Sequence, residues 1–508
     1  MDMGDRERVR QRALERCRER GIVIPTLAQQ QDPALIPPSI RAALPALDMQ
    51  ALDPLNLFRI TWKNDPATGG FGGVNHLEIP REITGIRARI IGLAGLHFPT
   101  GAHKVGAAFA CLVPRLVMGE FDPVSQRAVW PSTGNYCRGG AFDSALLGCA
   151  SLAILPEEMS PERFRWLEEV GAEILATPGC ESNVKEIFDA CWVIRKERPE
   201  AVIFNQFDEF GNYLWHYAVT GSAVMELAGS LGLGAGAAHW VVATGSGGTL
   251  AAGDRLKDEL PGGKIVAVEA LQCPTLLWNG FGGHRIEGIG DKHIPWIHNV
   301  RNTDAVCAVD DEDTLRLLRF FNEEAGLGWL ERQGVAPEVL ENLPWLGLSS
   351  ICNVLAAIKT ARWFELDESH VIFTSFTDSV DLYRSRLEEM EAALGAYGEC
   401  DARVDHERRL LGQRADAFRE LTYPERKAVH NLKYFTWVEQ QGRTVEELKA
   451  LWDPGFWNAL KEELAVVDEE IERFNRDSGA VPRTGSSGPE PPPPGAGDEA
   501  HGAERASP

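Results

Sequence analysis

No stretch of the 508-residue sequence approaches the roughly 18 uninterrupted apolar residues of a membrane-spanning helix. Met1 to Gly21 is dominated by Arg, Asp and Glu and lacks the apolar centre of a secretory signal, so a cytoplasmic protein is expected. Positive charge is scarce: 51 Lys plus Arg stand against 74 Asp plus Glu, a formal charge of −23. A nucleic-acid or anionic-membrane surface needs clustered cations, so neither is an expected partner. The ten cysteines, scattered from Cys17 to Cys400, form no C-x-x-C pair. That excludes a disulfide framework or a zinc site as the first reading, suits a reducing compartment, and leaves no metal expected.

Hydrophobic residues make up 44% and charged residues 25%, so most of the chain can bury a core. Residues 1–70 read as an N-terminal extension. From residue 71 to 383, short apolar runs alternate with helical stretches. Arg89 to Leu93, Ala150 to Leu155, Ala201 to Phe204, His239 to Ala243, Lys264 to Val268 and Val371 to Thr374 read as buried strands. Pro161 to Val170, Val184 to Lys196 and Leu250 to Leu260 read as helices between them. This alternation predicts an α/β fold with a mostly parallel sheet and ligands at the carboxyl ends of its strands. Residues 384–475 read as a helical extension, with Leu387, Met390 and Leu394 at helical spacing. Its aromatic group, Tyr434, Phe435, Trp437, Trp452, Phe456 and Trp457, reads first as helices packing on their own core, with docking on the main body or a second subunit as the alternatives. The Gly-, Pro- and Ser-rich tail, residues 476–508, reads as disordered.

Two segments carry chemistry. Thr244-Gly-Ser-Gly-Gly-Thr249 joins a strand to a helix, and three glycines there let backbone N–H groups point into one concavity beside the helix N-terminus. The loop reads as a phosphate cradle; a tight turn without a ligand is an equal alternative on these residues alone. It has neither the Gly-Lys-Ser/Thr ending of a nucleotide loop nor the G-x-G-x-x-G spacing of a dinucleotide site. Upstream, Pro99-Thr-Gly-Ala-His-Lys104 places a lysine in the first turn of a small-residue helix. The positive dipole end there lowers the ammonium pKa, which suits an amine nucleophile or base.

In order along residues 75–382, these motifs resemble the fold-type II pyridoxal-phosphate enzymes, the family of cysteine synthase, cystathionine β-synthase, the tryptophan synthase β subunit and the serine and threonine dehydratases. Thr100 to Lys104 is similar to the Schiff-base lysine segment, nearest its tryptophan synthase form. Ser132-Thr-Gly-Asn-Tyr136 resembles the asparagine loop. Met159 to Arg163 with Gly171 to Glu173, and Asn205 to Phe207 with Asn212 to Gly221, are similar to the segments that follow it. Gly245 to Thr249 resembles the phosphate loop. His284-Arg-Ile-Glu-Gly-Ile-Gly290 with Ile294-Pro295 is similar to the loop at the site mouth of cysteine and cystathionine synthases, and Gly347-Leu-Ser-Ser350 resembles the serine motif facing the pyridine nitrogen.

The resemblance implies two open α/β subdomains, the smaller, about 105–225, inserted in the larger. It implies pyridoxal 5'-phosphate as cofactor and a homodimer. It implies that Lys104 forms the Schiff base and then removes the Cα proton. Asn135 would bind the phenolic oxygen, Gly245, Ser246, Gly247, Gly248 and Thr249 the phosphate, and Ser350 the pyridine nitrogen, with Ser349 as the alternative. Ser132, Thr133, Gln206 and Gly288 would bind the substrate. The implied activity is β-replacement on serine or an O-activated serine through an aminoacrylate, with sulfide or a thiol as nucleophile. The alternatives are a β-elimination lyase or dehydratase releasing a 2-oxo acid and ammonia, and a binding or regulatory subunit.

The sequence departs from the family in places. Gly73-Val-Asn-His-Leu77 stands where Gly-Asn-Thr-Pro-Leu is usual, and Ile351 replaces the glycine after the paired serines. Tyr136-Cys-Arg-Gly-Gly140 continues the asparagine loop with a bulky and a cationic residue. These either select a larger or anionic substrate or face solvent or core. No glutamate precedes the loop as in tryptophan synthase, which argues against indole as acceptor. Cys137 reads as inert.

Overall fold

The computed structural model describes residues 3–132, 134–180 and 183–482. Eleven strands run in chain order as β1 (His76–Ile79), β2 (Arg89–Ala94), β3 (Arg127–Pro131), β4 (Ala150–Pro156), β5 (Glu173–Thr177), β6 (Ala201–Ile203), β7 (Ala238–Ala243), β8 (Ile265–Ala270), β9 (Ala305–Val309), β10 (Val371–Phe376) and β11 (Phe418–Glu420). They form a seven-stranded sheet in the order β1-β2-β10-β7-β8-β9-β11 and a four-stranded sheet in the order β5-β4-β3-β6. The smaller sheet is parallel throughout. In the larger, β2, β10, β7, β8 and β9 are parallel, and only the edge strands β1 and β11 run against their neighbours.

Every residue of β7, β8, β9 and β10 is buried, which is why these segments read as unbroken apolar runs rather than alternating ones. The six strands and three helices expected from the sequence are present, with ends shifted by a residue or two. Of the strands not anticipated, β1, β5 and β11 lie at sheet edges while β3 and β9 are interior, and β11 comes from the extension. Its three residues pair with β9, Phe418 opposite Cys307, so the segment after residue 383 completes the larger sheet as well as adding helices.

Two helices bring the chemistry-bearing segments together. Lys104–Val117 follows β2, and Asn135–Leu146 follows β3. Where they cross, a Cβ on Gly139 would lie 2.7 Å from the Val105 Cα, so only glycine permits this approach. The carboxyl ends of β2, β3, β7 and β10 thereby open on one cleft between the sheets.

The extension is bound to this body. Contrary to the expectation of a separate core, Trp437 and Trp457 pack with Phe188, Phe207, Tyr213 and Trp296 of the main body. The Trp437 indole donates to the Ile294 carbonyl at 2.8 Å, and the Lys433 ammonium donates to the Trp296 and His298 carbonyls at 2.8 Å each. The aromatics found partners there because the loop after Gly290 exposes carbonyls that need donors. The final helix, Pro454–Ser478, also runs further than expected, through Arg476 to Ser478. Arg10 pairs with Asp477 at 2.6 Å, Arg18 donates to the Ser478 carbonyl at 2.6 Å, and Gly479 closes the helix in the left-handed conformation. The rest of the expected tail, residues 483–508, lies outside the described residues. Among the described residues no single helix is long and apolar enough to cross a membrane.

Because Trp437 is buried and hydrogen-bonded, Trp437→Ala is expected to cost about 3–5 kcal/mol. Chemical denaturation checks the loss, and hydrogen exchange at residues 294–298 should accelerate with it.

Candidate active site

The cleft is lined by Lys104, Ser132, Asn135, Gln206, Gly245, Ser246, Thr249 and Gly288 from the expected set, with Tyr136, Thr377 and Asp291 beside them. Thr133 lies outside the described residues. Gly247 and Gly248 form the turn behind the wall, and Ser350 is buried behind it, its hydroxyl donating at 3.5 Å to the Asp378 carbonyl.

Lys104 begins its helix, and its ammonium donates to the Ser246 hydroxyl at 3.1 Å. The same hydroxyl accepts from the Asn212 amide at 3.0 Å. Burial pushes the Lys104 pKa down to about 8, with no carboxylate beside it to oppose the shift. Desolvation is therefore the main cause, rather than the helix dipole that the sequence suggested.

The glycine loop after β7 suits a phosphate. Gly247 adopts φ +81°, the left-handed turn that lets successive amides face one way. Among the described residues, the amides of Gly245, Ser246 and Gly247 have no acceptor. The Thr244 hydroxyl and the Asn212 carbonyl oxygen are buried beside them without hydrogen-bond partners. A Cβ on Gly248 would fall 2.1 Å from that Asn212 oxygen, so the loop can seat itself only as glycine. Unpaired donors gathered opposite a half-buried amine fit a phosphorylated aldehyde.

The asparagine loop is held by charge. Asn135 donates to the Asp378 carboxylate at 2.6 Å, and Tyr383 donates to the same oxygen at 2.9 Å. Arg163, fully buried under Gly134, donates to the Tyr383 hydroxyl at 2.9 Å and lies 3.9 Å from Asp378 and 3.2 Å from Glu287. Burial raises the Asp378 pKa, opposed chiefly by Arg163. Gln206 donates to the Ser132 hydroxyl at 3.3 Å, which in turn accepts from the Gly134 amide at 3.1 Å. Of the two unusual residues, Tyr136 is buried and on the cleft wall. Arg138 is turned into the protein, stacked 4.6 Å over Trp166, with burial lowering its pKa to about 10. Cys137 is buried and its thiol is pushed up to about 12, consistent with an inert residue.

Asp378, Tyr383 and Asp291 were missed in the sequence. Asp291 had a signal, since it directly follows the Glu-Gly-Ile-Gly run; Asp378 had only its place at the end of a predicted strand.

Residues 85–330 match the model of a family described as pyridoxal-phosphate dependent enzyme. A probable cysteine synthase of Bacillus subtilis is 28% identical over 280 residues, covering 55% of this chain and 83% of the relative. The cystathionine beta-synthase of Saccharomyces cerevisiae is 25% identical over 407 residues, covering 77% and 75%. The solved structure of a hydrogen sulfide-producing enzyme from Fusobacterium nucleatum superposes with a TM-score of 0.53 at 24% identity, over 68% of this chain and 93% of that one, a likeness of fold. Residues 85–330 therefore make up a pyridoxal-phosphate dependent enzyme domain of fold-type II. It is an enzyme of amino acids, and its cofactor is pyridoxal phosphate.

The depressed Lys104 pKa makes a pH prediction. Below pH 8 the amine is mostly ammonium and unreactive; above it the neutral form dominates. Competitive labelling of the cofactor-free protein with a small acylating reagent should therefore give Lys104 a reactivity midpoint near pH 8, well below that of an ordinary lysine near about 10.4.

Proposed function

We propose that the enzyme carries out β-replacement on serine or an O-activated serine, with sulfide or a thiol as the incoming nucleophile. The observation that carries this is the desolvated Lys104 amine placed against the phosphate-type glycine loop and beside the asparagine loop. The relatives named cysteine synthase and cystathionine beta-synthase support the reaction class.

When bound, pyridoxal phosphate supplies an electron sink for the pair left on Cα. Lys104 Nζ is assigned to the cofactor's aldehyde carbon. The amides of Gly245 to Gly248 and the Thr249 hydroxyl are assigned to its phosphate, Asn135 to its phenolic oxygen and Ser350 to its ring nitrogen. Asn135 is oriented for this by Asp378. Ser132 and Gln206, already bonded to each other, are assigned to the substrate carboxylate with Thr133, and Gly288 gives the opposite wall. Held near neutrality by burial, Lys104 takes the proton from Cα and later returns it. A neutral serine hydroxyl at the ring nitrogen favours loss of the β substituent over long-lived carbanion chemistry. The ten scattered cysteines, with no C-x-x-C pair among them, support a reducing cytoplasm, and the fold-type II resemblance supports a homodimer.

The test is product analysis of the cofactor-loaded enzyme and Lys104→Ala with serine, O-acetylserine and O-phosphoserine, with and without sulfide. Cysteine formed only with sulfide, and falling at least about 10²-fold in Lys104→Ala, is the expected result. A 2-oxo acid and ammonia released regardless of sulfide assigns elimination instead. No turnover of any donor overturns the enzymatic reading.

A further inference from the structure

Among the described residues lining the cleft, Asp291 is the one carboxyl group. It follows Gly290 at the site mouth, and its backbone is fixed by the Thr275 hydroxyl, which donates to the Asp291 carbonyl at 2.6 Å. Residues 294–298, just beyond it, are clasped by Lys433 and Trp437. Both side-chain oxygens are buried, and no other side chain donates to them; the Lys292 and His293 backbone amides are the donors nearest to them. The nearest ionisable ring, His293 Nδ1, is 3.4 Å away, and burial holds that imidazole down at about 4, hence uncharged. Lys292 is the one cation that acts on the carboxyl, and burial outweighs it together with the Lys292 and His293 backbone amides, raising the Asp291 pKa well above the usual range. Burial thus favours the protonated form of a side chain on the wall that also carries the Lys104 amine. A structural carboxyl would instead be paired or exposed. The other titratable group on the wall besides Lys104 is the Tyr136 phenol, raised well above its ordinary value by burial and so a weak acid.

We propose that Asp291 is the acid and base at Cβ, and that the donor is therefore an unactivated β-hydroxy amino acid, serine, in preference to an O-acylated one. This inference rests on the β-replacement reading above. Hydroxide is a poor leaving group and departs readily only with a proton, whereas acetate needs none. In the first half-reaction Lys104 takes the Cα proton, the electron pair of that bond forms the Cα–Cβ double bond, and the Cβ–O bond breaks. The departing oxygen takes the Asp291 proton and leaves as water. In the second, the incoming thiol gives its S–H proton to the Asp291 carboxylate as sulfur bonds to Cβ, and Lys104 returns its proton to Cα. Each residue ends in the protonation state in which it began. Two acid–base groups, one for each carbon, are what replacement of a hydroxyl requires, and the cleft is lined by one amine and one carboxyl.

The test compares the cofactor-loaded wild type with Asp291→Asn, which keeps the shape of the side chain but cannot give up a proton. Consumption of serine and of O-acetylserine is followed with sulfide present. The infrared difference spectrum of the cofactor-free proteins at neutral pH is recorded in parallel. The expected result is a serine to O-acetylserine rate ratio that falls about 10²-fold or more in the variant, and a protonated-carboxyl band in the wild type that the substitution removes. Equal loss with both donors, no such band, or a wild type that consumes O-acetylserine but not serine overturns the proposal. A wild type that consumes neither donor overturns the β-replacement reading itself, a different outcome from any of those three.

Discussion

Lys104 Nζ is drawn out of water by the folding of the helix that carries it, and its hydrogen-bond partner is the neutral Ser246 hydroxyl rather than a carboxylate. A buried amine without a countercharge costs free energy unless it gives up its proton. That single constraint selects what surrounds it. The loop after β7 brings Ser246 to the lysine by turning at Gly247 and seating Gly248 against Asn212, and the amides left without acceptors are matched to an anion. The helix after β3 must pass against the lysine helix at Gly139, which brings Asn135 to the same space.

The second support is the buried charge network Asn135, Asp378, Tyr383, Arg163 and Glu287. Asn135 and Arg163 belong to the smaller sheet's helices, while Asp378, Tyr383 and Glu287 come from loops of the larger. Arg386, from the first helix of the extension, joins it through Glu287 at 2.8 Å. Breaking such a network from one side leaves an uncompensated charge, at a cost on the order of 3–5 kcal/mol. Its role is better understood as fixing the asparagine loop across the cleft than as net stabilisation.

Much of this was legible in the sequence because it is local. A buried parallel strand announces itself as an apolar run, and Thr244 to Thr249 follows one such run directly. Lys104 stands out in its small-residue segment for the same reason. What escaped reading depends on distant partners. Phe418–Glu420 is three residues long and becomes a strand only by pairing with β9. Trp437 and Lys433 needed knowledge of the carbonyls at residues 294–298. Asp291 is an ordinary acidic residue in sequence, and the upward shift of its pKa arises from the burial that the surrounding elements impose.

The central claim is that Lys104 is the cofactor-bearing amine of this cleft. Loading the protein with pyridoxal phosphate, reducing it with borohydride and mapping the modified peptides by mass spectrometry tests that most directly. The account predicts one pyridoxyl group per chain, on the peptide containing Lys104 and absent from Lys104→Ala. A modification on another lysine at the same stoichiometry, or none at all, would contradict it.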